Sequence, residues 1–390
     1  MKHLLCICIL GMVVGCGGNG SSNAQPSANQ SSFSSNASST TLSSSSSSTS
    51  VSLSLAVDNQ VQSMMDATGA SAVTIAIAKN GQIIYTKGYG YQDAAHTIPL
   101  QTDALMRTAS IIKPVTAAAI RKLESNNKLA LSDHAFCTGT NAPCWLPANL
   151  LSASTDPRVR DITIQQLIYH QGGRSRASDV FGREWAVCGI YSCPISTSNL
   201  VKIVLAEPLD YTPGEPGNLD SYSNFGYLVL GMIIEQASQV SYTEFVQNDI
   251  MAPLGVSAND FKAGKTRPQD RDPREPIYIT SYNAQSAYTI GKIAPFADEG
   301  FVAENWKAVG ASITTARALA LFASAYRLPN GQPLAPNETY NRNHWGLIDG
   351  TMTFLRQLPS GVSYAVFLNK LNTDFPLYEP QLDSVMQLVP

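Results

Sequence analysis

The stretch Arg107–Glu124, RTASIIKPVTAAAIRKLE, decides how this chain reads. A short polar lead-in opens onto apolar residues at helical spacing, which predicts a helix from Ser110 to about Glu124. Ser110 and Lys113 stand three apart and so share one face of that helix. A serine hydroxyl is a poor nucleophile at neutral pH. It needs a base within hydrogen-bond reach and a pair of donors for the oxyanion it creates. A lysine can be that base only where desolvation or a second cation brings its pKa down from about 10.4. Lys113 lies on an otherwise apolar helix, where burial would do this.

Two further segments supply what such a pair lacks. Tyr222-Ser223-Asn224 is the one Tyr-x-Asn of the chain. It follows a Pro/Gly turn cluster, Tyr211–Gly217, and precedes a nearly all-apolar helix from Gly226 to Ala237, so a loop can point both side chains into a cleft. A tyrosine beside a lysine can relay a proton. The Asn224 amide can donate to a substrate carbonyl, and its oxygen can hold Lys113. His344-Trp345-Gly346 comes just ahead of the last predicted hairpin. Gly346 lets backbone approach a ligand closely, and the Leu347 N–H could pair with the Ser110 N–H as an oxyanion hole.

Strands are predicted near both ends. Val73–Lys79 alternates, Asn80-Gly81 turns and Ile83-Ile84-Tyr85 returns, the strongest short hairpin cue. Thr351–Gln357 and Val362–Leu368 flank Pro359-Ser360-Gly361. Between these ends lie helices beginning at Asp58, at Ser110, at Gly226, after the Ser241–Glu244 capping box, and from Ser312 to Tyr326. Residues 133–200 and 258–300 read as loop-rich. The pattern predicts an α+β domain: an antiparallel sheet built from both termini, flanked by helices, with a helical and loop-rich insertion.

The 390 residues carry a formal net charge of -3 with only 14% charged residues, so no basic surplus marks a nucleic-acid binder. The N-terminus reads as an export signal, residues 1–15: Lys2, then the apolar run Leu4–Val14, too short to span a bilayer. It ends in Val13-Val14-Gly15-Cys16, which resembles a bacterial lipobox. That resemblance implies cleavage before Cys16, lipidation of its thiol and, with Gly17 following, the outer membrane. Residues 16–57 are rich in Ser, Asn, Thr and Gly and are expected to form a flexible tether. The folded domain is then 58–390. Of the seven cysteines, Cys6 and Cys8 leave with the signal. Cys137, Cys144, Cys188 and Cys193 remain, an even number in an exported protein. Local pairing, Cys137 with Cys144 and Cys188 with Cys193, is the expected arrangement among three possible ones. A zinc site is the rival, without Cys-x-x-Cys spacing to favour it.

The segments RTASIIKPVTAAAI, YSNFGYLVLGMIIEQAS and NHWGLIDG resemble the three active-site segments of the serine β-lactamase-like superfamily. This group includes class C β-lactamases, DD-peptidases, D-aminopeptidases and esterases of the same fold. The likeness runs from about residue 58 to 370. It implies Ser110 as acyl-accepting nucleophile, Lys113 and Tyr222 as the proton-transfer pair, Asn224 as substrate contact, and His344, Gly346 and the Leu347 backbone as the third wall. It implies neither metal nor organic cofactor. A cell-envelope serine hydrolase is expected, monomeric, taking a small ester, amide or D-peptide. The alternative is an envelope lipoprotein that binds peptidoglycan or a partner without turnover.

Two departures from the family pattern stand out. Trp345 occupies the middle of the third segment where threonine is common, and no lysine is there to hold a substrate carboxylate, which favours an ester or another acyl group. The stretch between Tyr326 and His344 is also short. Other matches are set aside. Ser125-Asn-Asn-Lys128 sits at a polar helix end, His170-Gln-Gly172 precedes Tyr222 rather than following it, and Gly264-Lys-Thr266 is no P-loop.

Overall fold

The computed structural model describes residues 45–215, 221–336, 338, 340–372 and 375–389. The signal segment, Cys16 and the tether up to residue 44 lie outside the described residues. Along the chain, α1 (Ser45–Thr68) leads into the hairpin β1 (Ala72–Lys79) and β2 (Gln82–Gly90). The central helices are α2 (Lys113–Ser125), α3 (Asn224–Ser238) and α4 (Ala316–Ala325). The chain then returns through β3 (Arg342–Ile348), β4 (Thr351–Gln357) and β5 (Val362–Leu368) to α5 (Tyr378–Met386).

The five strands form one antiparallel sheet in the order β3-β4-β5-β1-β2. It joins the two ends of the chain, because β1 pairs with β5 in the register Val73↔Leu368, Ile75↔Val366 and Ile77↔Tyr364. β1 is buried on both faces, which its sequence AVTIAIA, apolar but for the small buried Thr74, allows. Side chains alternate across a strand. Val73, Ile75 and Ile77 join Leu53, Val57, Val61 and Met64 of α1 and Tyr378, Leu382 and Met386 of α5 in one core. Ala76 and Ala78 face the other core, which holds α2, α3 and α4.

The helix predicted from Asp58 begins at Ser45, inside the stretch expected to be tether. Leu53 and Val57 recur at helical spacing with Val61 and Met64, and all four are buried. These two apolar residues in a Ser-rich background extend the folded unit, which runs from Ser45 onward. The helix predicted at Ser312 starts later: Ser312–Thr314 is a short strand, and α4 follows it with Thr315 as N-cap. The capping box appears in full elsewhere, between Thr163 and Gln166. Ser241 does cap its helix, its hydroxyl accepting the Glu244 N–H.

Both local disulfides are present. Cys137–Cys144 closes a separation of 7 residues and Cys188–Cys193 one of 5. Among the described residues no helix is long and apolar enough to cross a membrane.

Candidate active site

The nucleophile segment is held from below by a buried arginine. Arg107 is 1% exposed. Its guanidinium stacks 4.0 Å from the Tyr278 ring centroid and donates to the Ala297 and Thr266 carbonyls. Burial lowers its pKa to about 10. Thr353 of β4 donates to the Thr108 carbonyl at 2.8 Å, tying the segment to the sheet. Ala109 then takes a left-handed φ of 44°, unfavourable for a residue with a Cβ. This turns the chain into a short 3-10 helix, Ala109–Ile112, ahead of α2. The sequence predicted a continuous α-helix from Ser110. In a 3-10 turn, side chains three apart eclipse one another, so Ser110 and Lys113 still meet.

Lys113 Nζ donates to Ser110 Oγ at 3.0 Å and to the Val309 carbonyl at 2.8 Å. Its side chain is almost wholly buried. That burial, with the positive charge of Arg176 adding to it and Asp179 opposing it, pushes the amine down to about 7. Tyr222 Oη donates to Ser110 Oγ at 2.7 Å. Burial is the leading influence on the phenol and holds its pKa well above the ordinary value. One hydroxyl, one amine and one phenol therefore converge.

Asn224 departs from expectation. It is the first residue of α3, and its amide donates to Asp179. The second acceptor for Lys113 is the Val309 carbonyl, not the Asn224 side chain. That carbonyl sits in a wall built by residues 306–311. Thr116, one turn along α2 from Lys113, donates to the neighbouring Ala308 carbonyl at 2.7 Å. Behind the wall, the Trp306 indole N–H donates to buried Glu184.

His344 and Gly346 lie on β3, the edge strand beside the Ser110 turn. A Cβ on Gly346 would stand 2.7 Å from the Ser110 nitrogen and 2.3 Å from Thr353 Oγ1, so only glycine allows this approach. His344 is held neutral: burial, then the Lys113 charge, lowers its pKa to about 3. Its Nε2 is buried and has no hydrogen-bond partner. Trp345 donates its indole N–H to Glu379 on α5. By strand alternation this points away from His344, so the residue that replaces threonine serves the sheet's other face. Leu347 follows on the same strand, paired with Met352.

Three residues not counted among the candidates also reach the site. His170, set aside by its position, stacks on Tyr222 at 4.5 Å between ring centroids, and its Nδ1 accepts the Ser223 N–H at 3.0 Å. Burial, then Lys113, lowers its pKa to about 3. Asp179 engages Asn224, and the Arg176 guanidinium lies 5.1 Å from the Tyr222 ring centroid. The only sequence signal for His170 was its His-x-Gly pattern; Arg176 and Asp179 gave none.

The chain is similar to several known proteins. Penicillin-binding protein 4* of Bacillus subtilis (strain 168) is 31% identical over 186 residues, 47% of this chain and 36% of that protein. Protein flp of Staphylococcus aureus (strain COL) is 26% identical over 206 residues, 53% of this chain and 38% of that protein. The chain thus spans well under half the length of these curated relatives. Among solved structures, D-amino acid amidase from Ochrobactrum anthropi SV3 superposes with a TM-score of 0.60 at 19% identity, covering 88% of this chain and 98% of that one. D-alanine carboxypeptidase AmpC from Burkholderia cenocepacia does so with 0.60 at 16%, covering 85% and 98%. At these identities the likeness is one of fold. The Beta-lactamase family model matches residues 57–380, and the chain belongs to that family.

Proposed function

We propose that this protein is a serine hydrolase that works through a covalent acyl-enzyme on Ser110. The observation that carries this is the pair of hydrogen bonds from Lys113 and Tyr222 that meet on one serine oxygen. Neutral Lys113 takes the Ser110 proton as Oγ attacks the substrate carbonyl carbon. The carbonyl oxygen becomes an oxyanion, received by the Ser110 and Leu347 N–H groups. Collapse of this intermediate breaks the bond to the leaving group. Tyr222 gives the leaving group a proton and regains one from Lys113 through the site. Water then attacks the acyl-enzyme by the same route and restores Ser110. His344 and Asn224 line the substrate's path, and His170 holds Tyr222 in register.

The substrate is an ester, an amide or a D-peptide. An amidase and a carboxypeptidase of the same fold support the latter two. A neutral His344 in place of a lysine supports uncharged esters as surrogate substrates. The Val13–Cys16 segment supports export and lipid anchoring in a bacterial envelope, in the outer membrane. Stopped-flow reaction with p-nitrophenyl acetate tests the assignment. The wild type gives a burst of nitrophenol equal to the enzyme present, and Ser110→Ala gives none. Wild-type turnover in that variant contradicts the nucleophile assignment.

A further inference from the structure

The third wall sets no permanent cation at the His344 position: the imidazole is neutral, and the cation of β3, Arg342, lies at the start of the strand over the Tyr340 ring. The opposite wall does. Arg176 opens the short 3-10 turn Arg176–Ser178 and is exposed. Its guanidinium faces the ring of Tyr222, whose hydroxyl touches Ser110 Oγ. One phenol therefore separates a fixed positive charge from the nucleophile. Among the described residues no carboxylate forms an ion pair with Arg176. Asp179, three residues on, turns its carboxylate to the Asn224 amide and the Phe181 N–H. An exposed guanidinium held over an aromatic ring can still offer two parallel N–H donors to a carboxylate.

We propose that Arg176 determines specificity by receiving a carboxylate of the substrate, so that the Ser110 site favours acyl substrates bearing negative charge near the scissile bond. This rests on the acyl-enzyme reading above and deepens it. The carboxylate can lie on the acyl side or on the leaving group. Arg176 also acts electrostatically on Lys113 and Tyr222, so its removal would alter the chemistry as well. A ratio between two substrates within one variant cancels that effect.

The test uses two matched pairs: p-nitrophenyl valerate with the mono-p-nitrophenyl ester of glutarate, and phenyl acetate with 3-acetoxybenzoate. In each pair kcat/KM for the charged member is divided by that for the neutral one. The wild type is expected to prefer the charged ester in at least one pair. Arg176→Gln should lower that ratio about tenfold or more, the range of a charged hydrogen bond. Arg176→Lys should retain part of the preference, as a point charge without the fork. A wild-type ratio at or below one in both pairs overturns the proposal, and so does a ratio that survives Arg176→Gln. Calorimetric titration of Ser110→Ala with the corresponding amides reads the same contact without acylation. Charge preference there, lost in Ser110→Ala/Arg176→Gln, upholds Arg176 even if no ester acylates the wild type, in which case the acyl-enzyme reading alone fails. Absence of charge preference in that titration overturns the proposal.

Discussion

Lys113 and Tyr222 are driven apart in proton affinity by the same cause. Burial disfavours the charged form of each, so the amine falls to about 7 and the phenol rises. At neutral pH the amine is then the group able to accept the Ser110 proton and the phenol the group able to give one. The base is active when deprotonated, so kcat/KM for a neutral ester should climb as pH rises through about 7 and level off above it. A limb near the ordinary lysine pKa of about 10.4 contradicts the assignment. The same burial costs stability. The folded pKa lies below the unfolded one, so the native state binds fewer protons between them. Stability therefore rises with pH across that window, and the penalty is largest below it. Lys113→Met should abolish acylation yet stabilise the fold at pH 6 by about 1–3 kcal/mol, measured by thermal unfolding. A less stable variant contradicts this. Ser110, Lys113, Tyr222, His344 and Gly346 were legible because each stands in a short motif of residue types that carry chemistry or allow close backbone approach. The Val309 carbonyl was not, since every residue carries one and only the fold decides which faces an ammonium. Asn224 was half legible: its place at the head of α3 was, its partner Asp179 was not.

At the scale of elements, the terminal strands were readable because alternation and an Asn-Gly turn leave few other structures open to them. β4 and β5 take the predicted bounds. The helices were less so. A serine-rich background concealed the first three turns of α1, where the informative letters are Leu53 and Val57 alone. α5 went unread, although its Glu379 receives Trp345 and its Asp383 pairs with Arg356 at 2.6 Å. Removing residues 45–57 should therefore do more than shorten a tether. A fragment starting at Asp58 loses two buried apolar side chains, each contributing about 1.5–3 kcal/mol, and should melt well below one starting at Ser45. Equal melting temperatures would return that stretch to the tether.

At the scale of the molecule, the sheet is closed by strands from opposite ends of the chain, and it sets the edge strand β3 against a turn that begins the helical part. Segments distant in sequence thus meet at Ser110, and that meeting is what the three motifs implied and composition could not. Where the protein resides is a separate matter, carried by the N-terminal residues. If Cys16 is its anchor, the protein should fractionate with membranes and take up labelled palmitate, and Cys16→Ala should end both. A soluble, unlabelled wild type contradicts the anchor. The most direct test of the whole account is intact-mass measurement after brief exposure to a panel of short-chain esters and D-alanyl peptides, followed by peptide mapping. The prediction is a single acyl group gained on the peptide that contains Ser110 and absent from Ser110→Ala; an adduct on any other residue, or the same adduct in the variant, would contradict it.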